Sequence, residues 1–490
     1  MFDLVNDELQ NEKLTRKPAV DIFRDFAYRY KLAACAFALS ATFAMNLSAQ
    51  QIVNDPSDTT DETTLLVTIT GSIAAAQQHV SNIQHNSGDI DGLLDEGATT
   101  TLLISGGELD GATLDVNNQR YTATGAGNYQ INLIDFADGV SVANEGLIGN
   151  LQYNSGEITT DVNAQIGINL DDGGGDADVT DSQLRVNNAV VSAKSTANDV
   201  ENLLTGDFSA TSGDAVTLSF DNTAGVRTVD ANFAVSNVQI NDNNGNGVAA
   251  TVSDVDIGIA TVASTTTTGV PLEFEISNHQ VSALVRANAA SNIIQGTNGS
   301  LANSFAIQSA QDTNSDVSAT VEDINIHYDG AELDDTNLTI ANNEVSADGF
   351  GNTVNNAIQI ENGGADSSYG VENEQVNSGT IDAEADTVTI TATLSDDSNN
   401  VGADLSSNSI SANAMANYAY NSVEYTNGGQ GFINNRQGNT GDVTATIKSS
   451  GVAYAGGTSD ITDSTISLSN NSVSAAAYGN YAVNIVRIKR

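Results

Sequence analysis

Oxygen-rich turns are the first residues in this sequence whose types and spacing could support chemistry. Asp242, Asn244 and Asn246 stand at alternate positions of a glycine-containing segment, as the oxygen ligands of a calcium loop do. Ser253 occupies the twelfth position, where such a loop has a glutamate, and residues 171–178 form a single run rich in glycine and aspartate. Calcium is therefore the one cofactor that the sequence indicates, through weak binding, and acidic turns are the competing interpretation.

Side chains for catalysis are scarce. None of the four histidines belongs to a metal-ligand motif, and we expect them to be polar surface residues. The single cysteine, Cys35, precedes the repetitive part of the chain, which therefore has no thiol for catalysis or for zinc. We therefore predict no catalytic residues and no enzymatic activity. A carbohydrate-active enzyme on a β-helix is the alternative, since carboxylates are abundant.

The first 49 residues have the pattern of an export signal. Six basic residues precede an apolar run over residues 32–45, which ends at Leu47-Ser48-Ala49, a small-residue cleavage pattern. This run is shorter than the roughly 20 apolar residues that span a bilayer, so we do not expect an integral membrane protein. A lipoprotein box at Cys35 is the minor alternative. An acidic linker at 50–63 follows in this prediction.

The net charge of −46 limits the choice of partners. The chain has 62 acidic and 16 basic residues, and residues 1–49 contain six of each, so the remainder keeps the whole excess of negative charge. Nucleic acid is excluded as a partner, because binding phosphates requires clustered Lys and Arg. Cations and salt-rich surroundings are favoured instead.

Alternation of apolar and hydroxyl residues predicts β-strands. Residues 64–70 and 387–394 alternate or nearly alternate Thr with Leu, Val, Ile or Ala. This is the pattern of a strand with one buried face, and Gly, Asn, Asp and Ser cluster between such segments as turn residues. With only three prolines in the chain, little interrupts the pairing of strands. The sequence predicts an all-β protein.

Asparagines recur at fixed spacing along the chain. A block that leads from one Asn to a second Asn occurs in six copies, five of which contain a Val-Ser-Ala or Ile-Ser-Ala segment, and the first three copies are one residue longer. The repeated asparagines are Asn118, Asn128, Asn188, Asn198, Asn278, Asn288, Asn343, Asn352, Asn408, Asn417, Asn471 and Asn480. We interpret them as scaffold residues and not as ligand sites, because stacked amides form hydrogen-bonded ladders and Asn tolerates the left-handed conformation of sharp corners.

A second block alternates with the first and fixes the period. It has the form Asn-Ser-Gly, then one variable residue and an isoleucine, as in the blocks that begin at Asn86, Asn154 and Asn377. The blocks alternate at 31 or 32 residues in the C-terminal part, which makes a unit of about 63 residues. We therefore predict irregular β-repeats over 64–313, with extra sequence around 205–275, and regular repeats over 314–490.

A stacked β-array fits these repeats best. A β-solenoid resembling a parallel β-helix accommodates identical positions one above another. A string of small β-sandwich domains is the alternative, although a 63-residue unit with so few aromatic residues would be marginal alone.

The blocks containing Asn471-Ser472-Val473-Ser474-Ala475 and Gly479-Asn480 resemble holdfast-anchor proteins of stalked alphaproteobacteria, of the holdfast attachment protein D type. This resemblance implies an exported protein at the cell surface or outer membrane that fastens an adhesive polysaccharide, or holdfast, to the cell envelope. The resemblance implies extracellular polysaccharide and other anchor proteins as partners. Copies of the chain itself are a separate expectation, because the unpaired strand edges at the ends of a solenoid suit end-to-end association. A calcium-dependent surface-layer subunit is a further structural alternative.

Overall fold

The computed structural model describes residues 50–51, 66–70, 78–104, 109–136, 146–170, 178–208, 216–222, 225–242, 247–264, 272–298, 302–330, 333–394, 398–456 and 461–489. These residues belong to the compact unit Leu47–Arg490. The predicted export signal at 1–49, and the predicted linker at 50–63 apart from Gln50 and Gln51, lie outside the described residues. The described residues form strands and turns, without a helix.

Six coils follow one another along the chain, each made of strands in the same order. Two strands precede them, β1 (Gln50–Gln51) and β2 (Leu66–Thr70). Coil 1 contains β3 (Gln78–Asn86), β4 (Ile90–Leu103), β5 (Leu109–Asp110), β6 (Thr113–Asn117) and β7 (Arg120–Phe136). Coil 2 contains β8 (Gly146–Asn154), β9 (Ile158–Asn169), β10 (Asp178–Thr180), β11 (Gln183–Asn187) and β12 (Val190–Asp207).

An inserted hairpin separates coil 2 from coil 3. Its strands are β13 (Val216–Asn222) and β14 (Gly225–Ala231). The hairpin is antiparallel, and β13 also pairs with β2, which in turn pairs with β1. The sequence around 205–275 that interrupts the repeats therefore contributes an antiparallel hairpin. This hairpin joins β1 and β2 in a separate four-stranded sheet.

The remaining four coils are more regular. Coil 3 contains β15 (Phe233–Asn241), β16 (Val248–Ser264), β17 (Leu272–Ser277) and β18 (Gln280–Thr297). Coil 4 contains β19 (Ser304–Thr313), β20 (Val317–Gly330), β21 (Thr336–Ala341) and β22 (Glu344–Glu361). Coil 5 contains β23 (Ser368–Asn377), β24 (Ile381–Leu394), β25 (Ser398–Asn399), β26 (Gly402–Ser406) and β27 (Ser409–Thr426). Coil 6 contains β28 (Gln430–Asn439), β29 (Val443–Lys448), β30 (Gly451–Gly456), β31 (Ile461–Thr462), β32 (Thr465–Ser469) and β33 (Ser472–Lys489).

Corresponding strands of successive coils pair in parallel and form four long sheets. Sheet 1 stacks β3, β8, β15, β19, β23 and β28, and sheet 2 is built on β4, β9, β16, β20 and β24, to which β29 and β30 pair. Sheet 3 stacks β6, β11, β17, β21, β26 and β32, and sheet 4 stacks β7, β12, β18, β22, β27 and β33. Each residue therefore belongs to a column, which we define as the residues in register through the stacked coils. The predicted parallel β-solenoid is confirmed, and the alternative of separate sandwich domains is wrong, because the strands of each unit pair with those of the next.

Left-handed residues shape the corners between sheets. The corner that leads into sheet 4 has a residue with φ between 55° and 59° in every coil: Asn118, Asn188, Asn278, Asn342, Ser407 and Asn470. The corner that leads into sheet 3 has such residues at Gly111, Asp181, Asp335, Asn400 and Asp463. Asn, Asp and Gly adopt this conformation at the lowest cost, which is why they recur there.

The interior contains two apolar compartments. The larger one lies between sheets 2 and 3 and the first half of sheet 4, and contains small and β-branched residues such as Ile257, Val285 and Ala347. The smaller one lies between sheet 1 and the end of sheet 4 and is aromatic, with Phe233, Phe305 and Tyr369 stacked at ring-centroid distances of 5.3 and 5.5 Å. A layer of amide side chains lies between the two compartments.

Candidate functional surface

Two asparagine ladders on sheet 4 run through all six coils. In the first, Nδ2 of each asparagine donates to Oδ1 of the next at 2.7–2.8 Å, through Asn128, Asn198, Asn288, Asn352, Asn417 and Asn480. The second follows four residues later at 2.7–2.9 Å, through Asn132, Asn202, Asn292, Asn356, Asn421 and Asn484. Repeat spacing places identical amides one above another, so each Asn satisfies its neighbour in the adjacent coil.

The first ladder also ties sheet 4 to sheet 1. The same Nδ2 atom of Asn198 donates to the backbone oxygen of Ile240 at 2.9 Å, and that of Asn352 donates to Val376 at 2.7 Å. A buried amide that uses both its donor hydrogens and its acceptor oxygen avoids the desolvation cost of an unsatisfied polar group. The predicted scaffold role of these asparagines is thus given a hydrogen-bonding geometry.

A glutamine ladder on sheet 1 runs through the same layer of amide side chains, but its hydrogen bonds point toward the preceding coil and not toward the next one. Nε2 of each glutamine donates to Oε1 in the preceding coil at 2.7–2.8 Å, through Gln84, Gln152, Gln239, Gln311, Gln375 and Gln437. Each Nε2 also donates to a backbone oxygen of sheet 4, as Gln375 does to Tyr418. Sequence analysis missed this ladder. Its signal is a glutamine two residues before the Asn of the second block, as in Gln152-Tyr153-Asn154.

Two asparagine ladders on sheet 1 are interrupted in coil 4. Asn150 donates to Asn237 at 2.8 Å, but the next residue in this column is Ser309. Nδ2 of Asn237 and Oγ of Ser309 are both buried without a hydrogen-bond partner. The ladder of Asn154 and Asn241 stops at Thr313, and Nδ2 of Asn241 is likewise buried without a partner, whereas the Thr313 hydroxyl bonds to Asn352. Coil 4 therefore carries two polar defects in the interior.

The repeated asparagines at the corner belong to two columns, and our alignment of them is wrong by one position. Asn118, Asn188 and Asn278 are the left-handed corner residues, and their partner in coil 4 is Asn342. The following position is occupied by Asn343, Asn408 and Asn471. The side-chain oxygen at this position accepts from the backbone nitrogen of the corresponding residue in the preceding coil, as Oδ1 of Asn408 accepts from Asn343 at 3.1 Å. The first three copies look one residue longer because their first asparagine belongs to the corner column. They contain no inserted residue.

His279 occupies this same column and is buried, so the prediction that the histidines are surface residues is wrong for it. Its Nδ1 accepts from the backbone nitrogen of Ala189 at 3.1 Å, in the way that the asparagines above it use Oδ1. Burial lowers the pKa of His279 to about 4, although a hydrogen bond to the Val186 backbone acts in the other direction. The imidazole is therefore neutral and structural.

The remaining candidates for chemistry do not converge. His327 is partly buried, with Nδ1 3.1 Å from Asp256, and His85 lies exposed beside Tyr153. Of the calcium candidates, Asp242 accepts a 3.3 Å hydrogen bond from Asn314, whereas Asn244 and Asn246 lie outside the described residues. Within the described ranges, no three His, Cys, Asp or Glu side chains are grouped so as to hold a metal ion.

Aromatic side chains gather on the outer face of sheet 4 in coils 5 and 6. Tyr418 and Tyr420 alternate with the buried Asn417, Ala419 and Asn421, and therefore point outward. Tyr481 stacks on Tyr418 with ring centroids 5.7 Å apart and an interplanar angle of 3°, and Tyr478 meets Tyr481 edge-on at 6.4 Å. We call Tyr418, Tyr420, Tyr478 and Tyr481 the tyrosine patch.

The environment of the tyrosine patch is apolar for a surface. Partial burial raises the pKa of Tyr418, and the neighbouring Tyr481 and Tyr420 add to this rise. In the column of Tyr478, Arg286 lies over the ring of Phe350 at 6.0 Å. Sequence analysis did not identify this surface, because which face a strand presents to solvent depends on register.

Carboxylates line the outer face of sheet 2. Burial raises the pKa of Glu322, and the charges of Asp323, Asp254, Asp161 and Glu384 raise it further. On sheets 3 and 4, basic residues reduce the repulsion between carboxylates by pairing with them. Arg185 lies 3.2 Å from Glu273, and Arg487 lies 2.7 Å from Glu424. The stacking thus brings carboxylates of neighbouring coils close together on the outer face of sheet 2.

Comparisons with models of protein families, with curated proteins and with solved structures each found no match. Among the residues that the structure describes, no helix has the length and apolar character needed to cross a membrane.

Proposed function

We propose that this chain is an exported cell-surface protein that binds an extracellular polysaccharide through many weak contacts and so helps to hold it at the cell envelope. The observation that carries this proposal is the tyrosine patch, which places four aromatic side chains on one outer face of a rigid array. In this proposal the protein is a binding and structural element and not an enzyme.

Tyrosine rings on a β-sheet suit the chemistry of sugars. A pyranose ring has an apolar face of C–H groups that packs against an aromatic ring, while the phenol hydroxyl hydrogen-bonds to the sugar. Asn413 and Asp348 extend this outer face with polar groups and are themselves joined at 2.7 Å. Each contact is weak, but a polymer meets several at once, so the overall affinity rises by multivalency.

The charge distribution supports a neutral or cationic polymer as the ligand. A net charge of −46 repels phosphate-rich and strongly acidic partners. The resemblance to holdfast-anchor proteins agrees with an adhesive polysaccharide and with other anchor proteins as partners, and we extend it to this chain as part of the proposal.

Binding of the purified chain to extracellular polysaccharide from its own source tests the proposal. We expect Tyr418→Ala and Tyr481→Ala each to weaken retention on immobilised polymer by about fivefold. Tyr129→Ala, measured at concentrations at which the chain is monomeric, is the matched control, because Tyr129 lies in the same column as Tyr481 but in coil 1, away from the patch of its own chain. Equal retention of all variants would contradict the role of the patch.

A deletion strain tests the role in the cell. Loss of the protein should release adhesive polysaccharide into the medium, and expression of the wild-type chain should restore attachment. A strain that attaches normally but cannot grow on a polymer would instead indicate the carbohydrate-active enzyme.

A further inference from the structure

The two ends of the solenoid expose side chains of the kind that the inner coils bury. Val486 and Ile488 of coil 6 are 46% and 60% exposed, whereas Val423, the neighbour of Val486 in its column, is fully buried. Leu102 of coil 1 is likewise 36% exposed, while its neighbour Ile168 is 1% exposed. In the described part of the chain, no strand pairs with the outer edge of β7 or β33. Repeat proteins that remain monomeric usually end in polar capping repeats, whereas the described residues of these two faces include exposed apolar side chains.

The amide ladders give each end a hydrogen-bonding polarity. Every asparagine ladder donates from Nδ2 toward the next coil, so coil 6 ends with the Nδ2 donors of Asn480 and Asn484, and coil 1 begins with the Oδ1 acceptors of Asn128 and Asn132. The glutamine ladder runs the opposite way. Coil 6 placed on coil 1 of another copy continues the ladders in the correct direction. Coil 6 placed on coil 6 would bring donor against donor.

Apolar and aromatic columns also continue across such a junction. The column of Val486 starts at Ile134, that of Ile488 starts at Phe136, and that of Tyr481 starts at Tyr129. Stacking coil 6 on coil 1 would therefore bury side chains against partners of the same type as those inside the solenoid.

Charge complements this geometry. Residues 78–145 contain ten acidic residues and one basic residue, whereas residues 430–490 contain three acidic and five basic residues. The column of Arg487 passes through Glu424, Gln359 and Gln295 to Thr205 and begins at Asp135. A stacked copy would therefore place Arg487 directly over Asp135.

We propose that copies of this chain stack head to tail, with coil 6 of one copy on coil 1 of the next. This contact is heterologous and does not close on itself, so it generates a filament. With strands about 4.8 Å apart, six coils add about 29 Å per copy. The inference is independent of polysaccharide binding, because it rests on the ends of the solenoid and not on its outer face.

A charge swap across the junction tests this proposal on the full-length chain, by sedimentation equilibrium over a range of concentrations. We expect Arg487→Glu and Asp135→Arg each to weaken association about tenfold, because each places like charges together. A mixture of the two variants should associate as wild type does, since the carboxylate introduced in one copy then meets the guanidinium introduced in the other. The double variant should recover in the same way. Far-ultraviolet circular dichroism verifies that each variant is folded.

Arg436→Glu is the control, because Arg436 lies in coil 6 but its column begins at Ile83. Asp135→Arg should not compensate for any loss that this variant shows. Electron microscopy of the wild type should show rods whose lengths differ by multiples of about 29 Å. A wild-type chain that stays monomeric at all concentrations, or that stops at a dimer indifferent to the charge swap, would overturn the proposal.

Discussion

Nδ2 of Asn288 lies 2.8 Å from Oδ1 of Asn352, across 64 residues of sequence and one step of the solenoid. The separation along the chain is one full coil, and the short distance shows that the coils stack without lateral slip. This relationship recurs in every asparagine of the ladder, and it explains why the amide and not another polar group is repeated. An amide is both donor and acceptor, so one residue type can continue a ladder without end.

Removing one amide from the ladder should destabilise the solenoid locally. Asn352→Ala would remove the acceptor oxygen that Nδ2 of Asn288 and the hydroxyl of Thr313 share. It would also remove the donor to the backbone oxygen of Val376 and to Oδ1 of Asn417. Because these groups stay buried, we expect a loss of about 3 kcal/mol in the free energy of unfolding. Urea denaturation, with hydrogen exchange of residues 344–361, measures this loss.

Asn355→Ala is the control for that experiment, since Asn355 lies on the outward side of the same strand and is only half-buried. Its effect should remain within about 0.5 kcal/mol. Equal effects of the two substitutions would show that the ladder contributes nothing beyond the composition of the strand.

Completing an interrupted ladder should stabilise the chain. In Ser309→Asn, the new amide would accept from Asn237 and face Asn373, the next residue in its column. Nδ2 of Asn237 is buried without a partner in the wild type, so we expect a gain of about 1 kcal/mol. Ser309→Ala should be nearly neutral, because the serine hydroxyl has no partner either. A destabilised Ser309→Asn variant would indicate that coil 4 lacks room for the amide.

Stability should depend on pH through His279. Its pKa is about 4 in the folded chain, below the ordinary value of 6.5, so the unfolded chain binds the proton more readily. The stabilising contribution is therefore complete above pH 6.5 and is lost as the pH falls toward 4, by about 3 kcal/mol over this range.

His279→Asn isolates this effect from the titration of carboxylates. Asparagine is the residue found at this position in coils 4, 5 and 6, where its Oδ1 accepts from a backbone nitrogen of the preceding coil. At pH 7.5 the variant should unfold at the same denaturant concentration as the wild type or at a higher concentration. On acidification it should lose less stability than the wild type does. Parallel pH curves for the two proteins would contradict the assignment.

Charge repulsion on sheet 2 should make stability depend on salt. The pKa of Glu322 is raised in the folded chain, so its ionisation opposes folding at neutral pH. Glu322→Gln should therefore raise the thermal midpoint at low ionic strength, and this gain should shrink as salt screens the neighbouring carboxylates. Below the ordinary pKa of a glutamate the two proteins should be alike.

Glu273→Gln provides the opposite case. Glu273 pairs with Arg185 at 3.2 Å, so neutralising it removes an attraction and should lower the midpoint slightly. If both substitutions raised the midpoint, the net charge would matter and the local arrangement would not.

The sequence determined the architecture because a pattern repeated at a constant interval is satisfied most simply by stacked coils of constant length. Alternating Thr and apolar residues required strands, the absence of helical periodicity excluded helices, and asparagines at a constant interval required coils of constant length. Stacking identical positions is the arrangement that satisfies their amides, which is why Asn352, Asn417 and Asn480 could be recognised as scaffold before their contacts were known.

Only the tertiary structure decided which column each residue joins and which face it presents. Asn343 and Asn278 look equivalent in sequence, but register places them one position apart, because a corner residue with positive φ and the residue after it have different neighbours. His279 is buried because its ring accepts where an asparagine oxygen would, which composition alone does not reveal. The tyrosine patch and the complementary ends likewise arise from pairing between residues more than 60 positions apart. Local sequence sets the strands, whereas the register between coils creates the surfaces on which the proposed function rests.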